Sequence, residues 1–259
     1  MQVLSRPWGR MHYQVDGPQD GVPVVFANSL GTDLRLWDRV LPLLPHMRAI
    51  RFDKRGHGLS DCAGPHGIAD LAKDAAALIE TVVGGPVIFI GVSVGGMIGQ
   101  QLAATRPELV RAMVLSNTAV RMGTAEGWAS RIATIRKSGM ESIADAVMER
   151  WFAPAFRASP ELALWRNMFA RTDAQGYIAT CDVLAAADLA ATTATLRLPV
   201  QVIAGSADGA SPPDQVRATA ELIRDARYTS IADAGHLPCV ETPQDWAAIV
   251  APFVQDYSK

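Results

Sequence analysis

Ser93 stands in Gly91-Val92-Ser93-Val94-Gly95-Gly96, directly after the apolar run 86–90 and just before a helical pattern at 97–105. A strand that turns abruptly into a helix exposes a serine at its apex, and flanking glycines let backbone pass where a Cβ would clash. The helix N-terminus, with unpaired N–H groups and the positive dipole end, favours negative charge near Oγ. The simpler alternative is that Ser93 only caps the helix. A hydroxyl becomes a nucleophile when a base takes its proton and an acid orients that base. In strand–turn–helix sites of this kind the chain order is serine, acid, histidine. Of the five histidines, His12, His46, His57, His66 and His236, only His236 follows Ser93. It lies in Ala234-Gly235-His236-Leu237-Pro238, after the run 227–231. For the acid, Asp208 follows the run 199–204 in Gly205-Ser206-Ala207-Asp208-Gly209. Asp233 is too near His236 in sequence to fold back on it, and Asp214 suits the first turn of a helix. The end of the preceding strand, another place for the acid, carries Asn117-Thr118. The expectation is one hydrogen-bonded chain of Ser93, His236 and Asp208, with the Val94 N–H as a donor to the oxyanion that attack creates.

These residues need a scaffold that brings loops together. Short β-branched or apolar runs recur at 23–26, 48–52, 86–90, 112–115, 199–204 and 227–231. Each is right for a buried strand and too short for a helix. Helical patterns at 68–82, 97–105, 213–223 and 243–254 alternate with them, which predicts βαβ units and a parallel sheet covered on both faces. Residues 11–15 alternate before Asp16-Gly17 and read as part of an antiparallel hairpin at the sheet edge. From 121 to 196 there is helical pattern only, with Trp128, Trp151, Phe152, Phe156, Trp165 and Phe169. That is too long for a crossover and reads as a helical cap over the C-terminal edge of the sheet, where open parallel sheets bind ligands. The division expected is a core of 1–120 and 197–259 with the cap 121–196 inserted.

Composition removes other classes. With 24 basic and 26 acidic residues the formal charge is −2, which lacks the basic footprint of a nucleic-acid binder. No run of 18 apolar residues offers a membrane span, and the first ten residues hold no apolar core after a basic start. Cys62, Cys181 and Cys239 stand far apart without Cys-x-x-Cys spacing, against a zinc cluster or disulfide framework and in keeping with a reducing cytoplasm.

The whole chain resembles the α/β-hydrolase family, which implies an α/β fold with a mostly parallel eight-stranded sheet flanked by helices. Where many members have His-Gly-x after the first central strand, this chain has Asn28-Ser29-Leu30, so the carry-over makes the Leu30 N–H the second oxyanion donor. Asn28 reads as a turn residue shaping that loop. The stretch Asp53-Lys54-Arg55-Gly56-His57-Gly58-Leu59-Ser60 is similar to a structural turn of the family, with Arg55 holding loops and His57 outside catalysis. A narrower resemblance, to 3-oxoadipate enol-lactonases, rests on Asn28-Ser29-Leu30-Gly31-Thr32-Asp33 with Trp37-Asp38, on Gly91–Gln100, and on Arg150-Trp151-Phe152. It implies hydrolysis of an anionic enol lactone in aromatic-acid catabolism, with no metal or organic cofactor.

A substrate carboxylate needs a cation in the pocket, because burying an unpaired anion is costly. Trp128, Arg131, Ile132 and Ile135 share a helical face, which places Arg131 in an apolar stripe and makes it the first candidate. Arg150, beside Trp151, is the second, and Trp128 and Trp151 are expected to line the pocket. Alternatives with the same catalytic residues are a carboxylesterase, a carbon–carbon bond hydrolase and a cofactor-free haloperoxidase; a non-catalytic ligand-binding protein is a further one. Oligomeric state is left open, since cap aromatics could line a pocket or a homo-oligomer interface.

Overall fold

The short apolar runs pair into one eight-stranded sheet in the computed structural model, which describes residues 1–62 and 64–258. The strands are β1 (Gln2–Arg6), β2 (Gly9–Asp16), β3 (Val22–Ala27), β4 (Met47–Phe52), β5 (Val87–Val92), β6 (Val110–Ser116), β7 (Val200–Gly205) and β8 (Arg227–Ile231). Their order is β1-β2-β4-β3-β5-β6-β7-β8. The β1–β2 hairpin joins β4 antiparallel, and all other neighbours run parallel. Parallel pairing requires crossovers that cover both faces, so the central strands are continuous apolar runs. Every residue of β5 and β7 is buried.

Helices α1 (Ile68–Val82) and α2 (Val94–Thr105) precede β6. Between β6 and β7 lie α3 (Ala125–Ser138), α4 (Glu141–Trp151), α5 (Pro154–Arg157), α6 (Leu162–Ala170), α7 (Ala174–Ala186) and α8 (Ala190–Thr193), with no strand. The chain closes with α9 (Pro213–Leu222), α10 (Pro238–Glu241) and α11 (Pro243–Asp256). Strand positions match the sequence reading closely. Helix α2, expected from Met97, begins at Val94, because Gly95 and Gly96 weaken the helical signal where packing overrides propensity. Among the described residues no helix is long and apolar enough to cross a membrane.

The inserted helices pack as pairs, α3 on α7 and α4 on α6. Thr124 caps α3 by accepting from Gly127 N, and Asp173 caps α7 by accepting from Gly176 N. Trp151, Phe152, Trp165 and Phe169 are buried among one another, while Trp128 and Phe156 are half-buried. Phe169 meets Trp151 and Tyr177 edge-on, at 5.6 and 5.3 Å between ring centres. Helix α7 is fastened to the core through backbone: a Cβ on Gly56 would fall 2.3 Å from Gly176 Cα, and one on Gly176 would fall 2.4 Å from Gly56 Cα. Nearby, Arg55 pairs with Asp74 of α1, and buried His57 donates from Nδ1 to Arg55 O at 3.0 Å. The turn is structural, as expected.

Candidate active site

Ser93 sits between β5 and α2 with φ 59° and ψ −125°, a left-handed conformation that is strained for any residue with a side chain. The turn is held by close backbone approach. A Cβ on Gly91 would lie 2.3 Å from Gly95 O, and one on Gly95 would lie 2.0 Å from Ala27 O. Ser93 makes no side-chain cap to α2, which disposes of the simple capping role. Two buried amides border it without partners among the described residues. Val94 N opens the helix and has no carbonyl of its own helix to reach, and Leu30 N donates to nothing among the described residues. Buried N–H groups are almost always paired, so these two ask for a ligand atom.

The loop that carries Leu30 is pinned from several sides. Asn28 Nδ2 donates to Phe52 O at 2.8 Å, and Trp37 Nε1 donates to Asn28 Oδ1 at 2.7 Å. Lys54, fully buried, donates from Nζ to Ser29 O at 2.6 Å. Burial pushes the Lys54 amine down to about 7, against the pull of Asp53 and Asp33.

Asp208 and His236 meet at the ends of β7 and β8. His236 Nδ1 donates to Asp208 Oδ2 at 2.9 Å, an arrangement that in the neutral ring leaves the lone pair on Nε2. The same carboxylate accepts from Asn117 Nδ2 at 2.9 Å, from Ser211 Oγ at 2.6 Å, and through Oδ1 from Ala210 N and Ser211 N at 2.7 and 2.9 Å. Burial alone raises this carboxyl, but His236, Ser211 and Asn117 outweigh it and hold Asp208 below the usual carboxylate range. His236 N donates to Trp151 O at 2.7 Å, which fixes the histidine loop to the end of α4. Beside it, Glu241 accepts from Ala153 N and Gly235 N, and burial pushes its carboxyl up to about 7.

The expected unbroken chain is not formed. Ser93 Oγ donates to Met122 Sδ at 3.9 Å, and His236 Nε2 instead receives Ser29 Oγ at 3.5 Å. Catalytic hydrogen bonds often tighten only once substrate is bound, so this resting arrangement does not remove Ser93 and His236 as candidates.

A cavity of about 110 Å³ lies under α3 and α4, bordered by Ser93, His236 and Leu30 and by Trp128, Arg131, Arg150 and Trp151. Ser93, His236, Leu30 and the four candidates for substrate contact therefore border one space, while Asp208 and Val94 lie behind its lining. Arg131 is half-buried; its Nη1 donates to Tyr177 OH at 3.2 Å and its guanidinium lies 5.0 Å from the centre of Trp128. Arg150 Nε donates to Gly209 O at 3.1 Å. Burial and the neighbouring Arg131 charge both push the Arg150 guanidinium down. Arg166, by contrast, is paired with Glu141 and Asp145, whereas Arg131 and Arg150 form no ion pair among the described residues. A larger open groove of about 750 Å³ runs past Asp61, Arg171 and Asp173 and touches neither Ser93 nor His236.

Sequence reasoning missed Asn117, Ser211 and Tyr177. Asn117 stands at the very point weighed as the other place for the acid, and it donates to the acid instead. Ser211 and Tyr177 carry no sequence signal that separates them from other serines and tyrosines.

A serine at a strand–helix turn after a central strand, a histidine–aspartate pair on later loops and a helical insertion beside the cavity they border define a class. Residues 22–243 match the family described as alpha/beta hydrolase fold, and the chain belongs to that family. Its chemistry is that of a lactone or ester hydrolase. The chain is 33% identical to 3-oxoadipate enol-lactonase 2 of Acinetobacter baylyi over 90% of this chain and 89% of that one. It is 28% identical to 3-oxoadipate enol-lactonase 1 of the same organism over 98% and 97%. The crystal structure of the enol-lactonase from Burkholderia xenovorans LB400 superposes with a TM-score of 0.94 at 35% identity, over 98% of this chain and 100% of that one.

Proposed function

We propose that this hydrolase opens a small enol lactone bearing a free carboxylate, 3-oxoadipate enol-lactone to 3-oxoadipate, by serine catalysis in aromatic-acid catabolism. The observation that carries the reading is the pair of arginines without acidic partners, Arg131 and Arg150, on the cavity that Ser93 and His236 also border. Guanidinium groups held near each other in a cleft are complementary to an anion, and a planar fork pairs with a carboxylate through two hydrogen bonds. Cavities for drug-sized ligands run from about 300 Å³ upward, so the smaller space here suits a compact acid rather than a lipid. The enol-lactonase relatives support the same substrate class.

In this reading Asp208 fixes the tautomer of His236 and stabilises the imidazolium that forms. Nε2 takes the Ser93 proton as Oγ adds to the lactone carbonyl. The N–H groups of Leu30 and Val94 receive the oxyanion, and loss of one such donor typically costs about 2.7–4 kcal/mol of transition-state stabilisation. Collapse breaks the ring C–O bond, the enol leaves with the proton and relaxes to the ketone, and water activated by His236 clears the acyl-enzyme.

The deciding assay sets the enol lactone beside an uncharged aryl ester, a vinylogous diketone and a halide–peroxide mixture. The reading expects kcat/KM highest on the lactone; turnover of the diketone or of halide above the lactone replaces it with one of the other hydrolase chemistries.

A further inference from the structure

Among the described residues His236 Nε2, the nitrogen that moves the proton in the reading above, has one hydrogen-bond partner, Ser29 Oγ at 3.5 Å, rather than Ser93. Ser29 is 1% exposed and borders the same cavity. Its backbone is firmly held: Ser29 O accepts from Lys54 Nζ at 2.6 Å, from Thr32 Oγ1 at 3.0 Å and from Thr32 N at 3.3 Å. An ammonium is costly to bury without partners. Lys54 is tolerated here because it satisfies the carbonyls of Ser29 and Thr32, and in doing so it fixes the side of His236 on which the Ser29 hydroxyl stands.

We infer that Ser29 is a second proton-handling hydroxyl, which passes the proton from His236 to the leaving oxygen when the acyl C–O bond breaks. The inference rests on the serine-hydrolase reading above. After attack, the former Ser93 proton is on Nε2. Ser93 Oγ and the leaving oxygen are then bonded to the same carbon, and Nε2 cannot point at both. A hydroxyl to one side of Nε2 extends its reach to the second. As the C–O bond breaks, its electron pair stays on the leaving oxygen, which takes the Ser29 proton while Ser29 takes the Nε2 proton. His236 returns neutral, Ser29 is unchanged and Ser93 carries the acyl group, so no further reagent is needed.

The test is a series of esters with one acyl group and leaving groups running from 4-nitrophenol through phenol to a simple alcohol. A weakly basic leaving group departs as an anion, whereas an alkoxide requires a proton. With loss of proton transfer to the leaving group, Ser29→Ala lowers kcat/KM for the alkyl ester by about a hundredfold and for the 4-nitrophenyl ester by less than about threefold. The dependence on leaving-group basicity therefore steepens, and Ser29→Thr, which keeps a hydroxyl, recovers most of the alkyl-ester rate. An equal fall across the series, or no fall, overturns the inference and leaves the role of Ser93 standing, because Ser93→Ala decides that separately. Should Ser29→Ala not fold, the wild-type enzyme decides in mixtures of light and heavy water. Two protons in flight bow the rate plot for the alkyl ester and not for the 4-nitrophenyl ester; straight lines for both overturn the inference.

Discussion

The loops at the edge of the sheet and the helices above them treat their charged groups in opposite ways. Around Asp208 both carboxylate oxygens are satisfied, Oδ2 by Asn117, Ser211 and His236 and Oδ1 by the amides of Ala210 and Ser211, and the carboxyl is held ionised. In α3 and α4, Arg131 and Arg150 keep their charges without an acid, one against Tyr177 and Trp128 and the other against a carbonyl. Satisfied networks hold one geometry, as a reacting group requires. An incompletely paired charge is a place prepared for something that arrives. On the function proposed above, bond-breaking belongs to the sheet edge and discrimination to the helices, and each assignment can be broken by experiment.

The largest effect belongs to Ser93→Ala, which is expected to lower kcat by about 10⁴-fold or more on charged and uncharged substrates alike. Retention of more than a few per cent of turnover in a clean preparation defeats the assignment. Arg131→Ala is expected to act on one substrate class only. It should lower kcat/KM for the carboxylate-bearing lactone by about 30- to 150-fold, the equivalent of about 2–3 kcal/mol for a partly buried charge pair, and hardly change an uncharged ester. Arg131→Lys should recover part of the loss, since an ammonium lacks the planar fork. Equal falls on both substrates would make Arg131 a strut of the helices and pass the anion to Arg150.

Asn28→Ala examines the rigidity of the sheet edge. It leaves Phe52 O and the Trp37 indole without their partner. Denaturant unfolding should show a loss of about 1–3 kcal/mol, with a fall in kcat that is the same for charged and neutral substrates. Preference between the two substrates should stay unchanged, and a shift in that preference would mean that the loop, not the helices, reads charge.

The smallest effect concerns the junction of the two regions. Glu241 has its carboxyl raised from the ordinary 4.5 to about 7. Between those values the folded protein holds a proton there that the unfolded chain releases, so stability falls as pH rises from about 4.5 to about 7. Glu241→Gln should flatten that part of a melting-temperature profile; an unchanged slope would place the titration elsewhere.

Much of this was legible from residue order. The position of His236 after Ser93 singled it out from five histidines, and the structure places it against Asp208; β5 announced itself as an apolar run ending at the Ser93 turn. The phase of α3 placed Arg131 beside Trp128 as the structure has it, because a helix fixes which residues share a face. What stayed hidden depends on distance through space. Nothing in the sequence says that Asn117 and Ser211 converge on Asp208, or that Lys54 lies beneath Ser29. The direction of the Ser93 hydroxyl is hidden for another reason: it is a single rotation about one bond, which no pattern encodes.

The contact of Gly56 with Gly176 bears on how such enzymes could be recombined. The two regions touch there through main chain alone, so the seam itself selects for no side-chain shape beyond the absence of one. A helical insertion transplanted from a relative could bring an entirely different lining to the cavity and still seat at the same depth, provided glycine meets glycine at this point. Alanine at either place would wedge the seam open by the width of a methyl group, and a new specificity carried by the foreign helices would be lost with it.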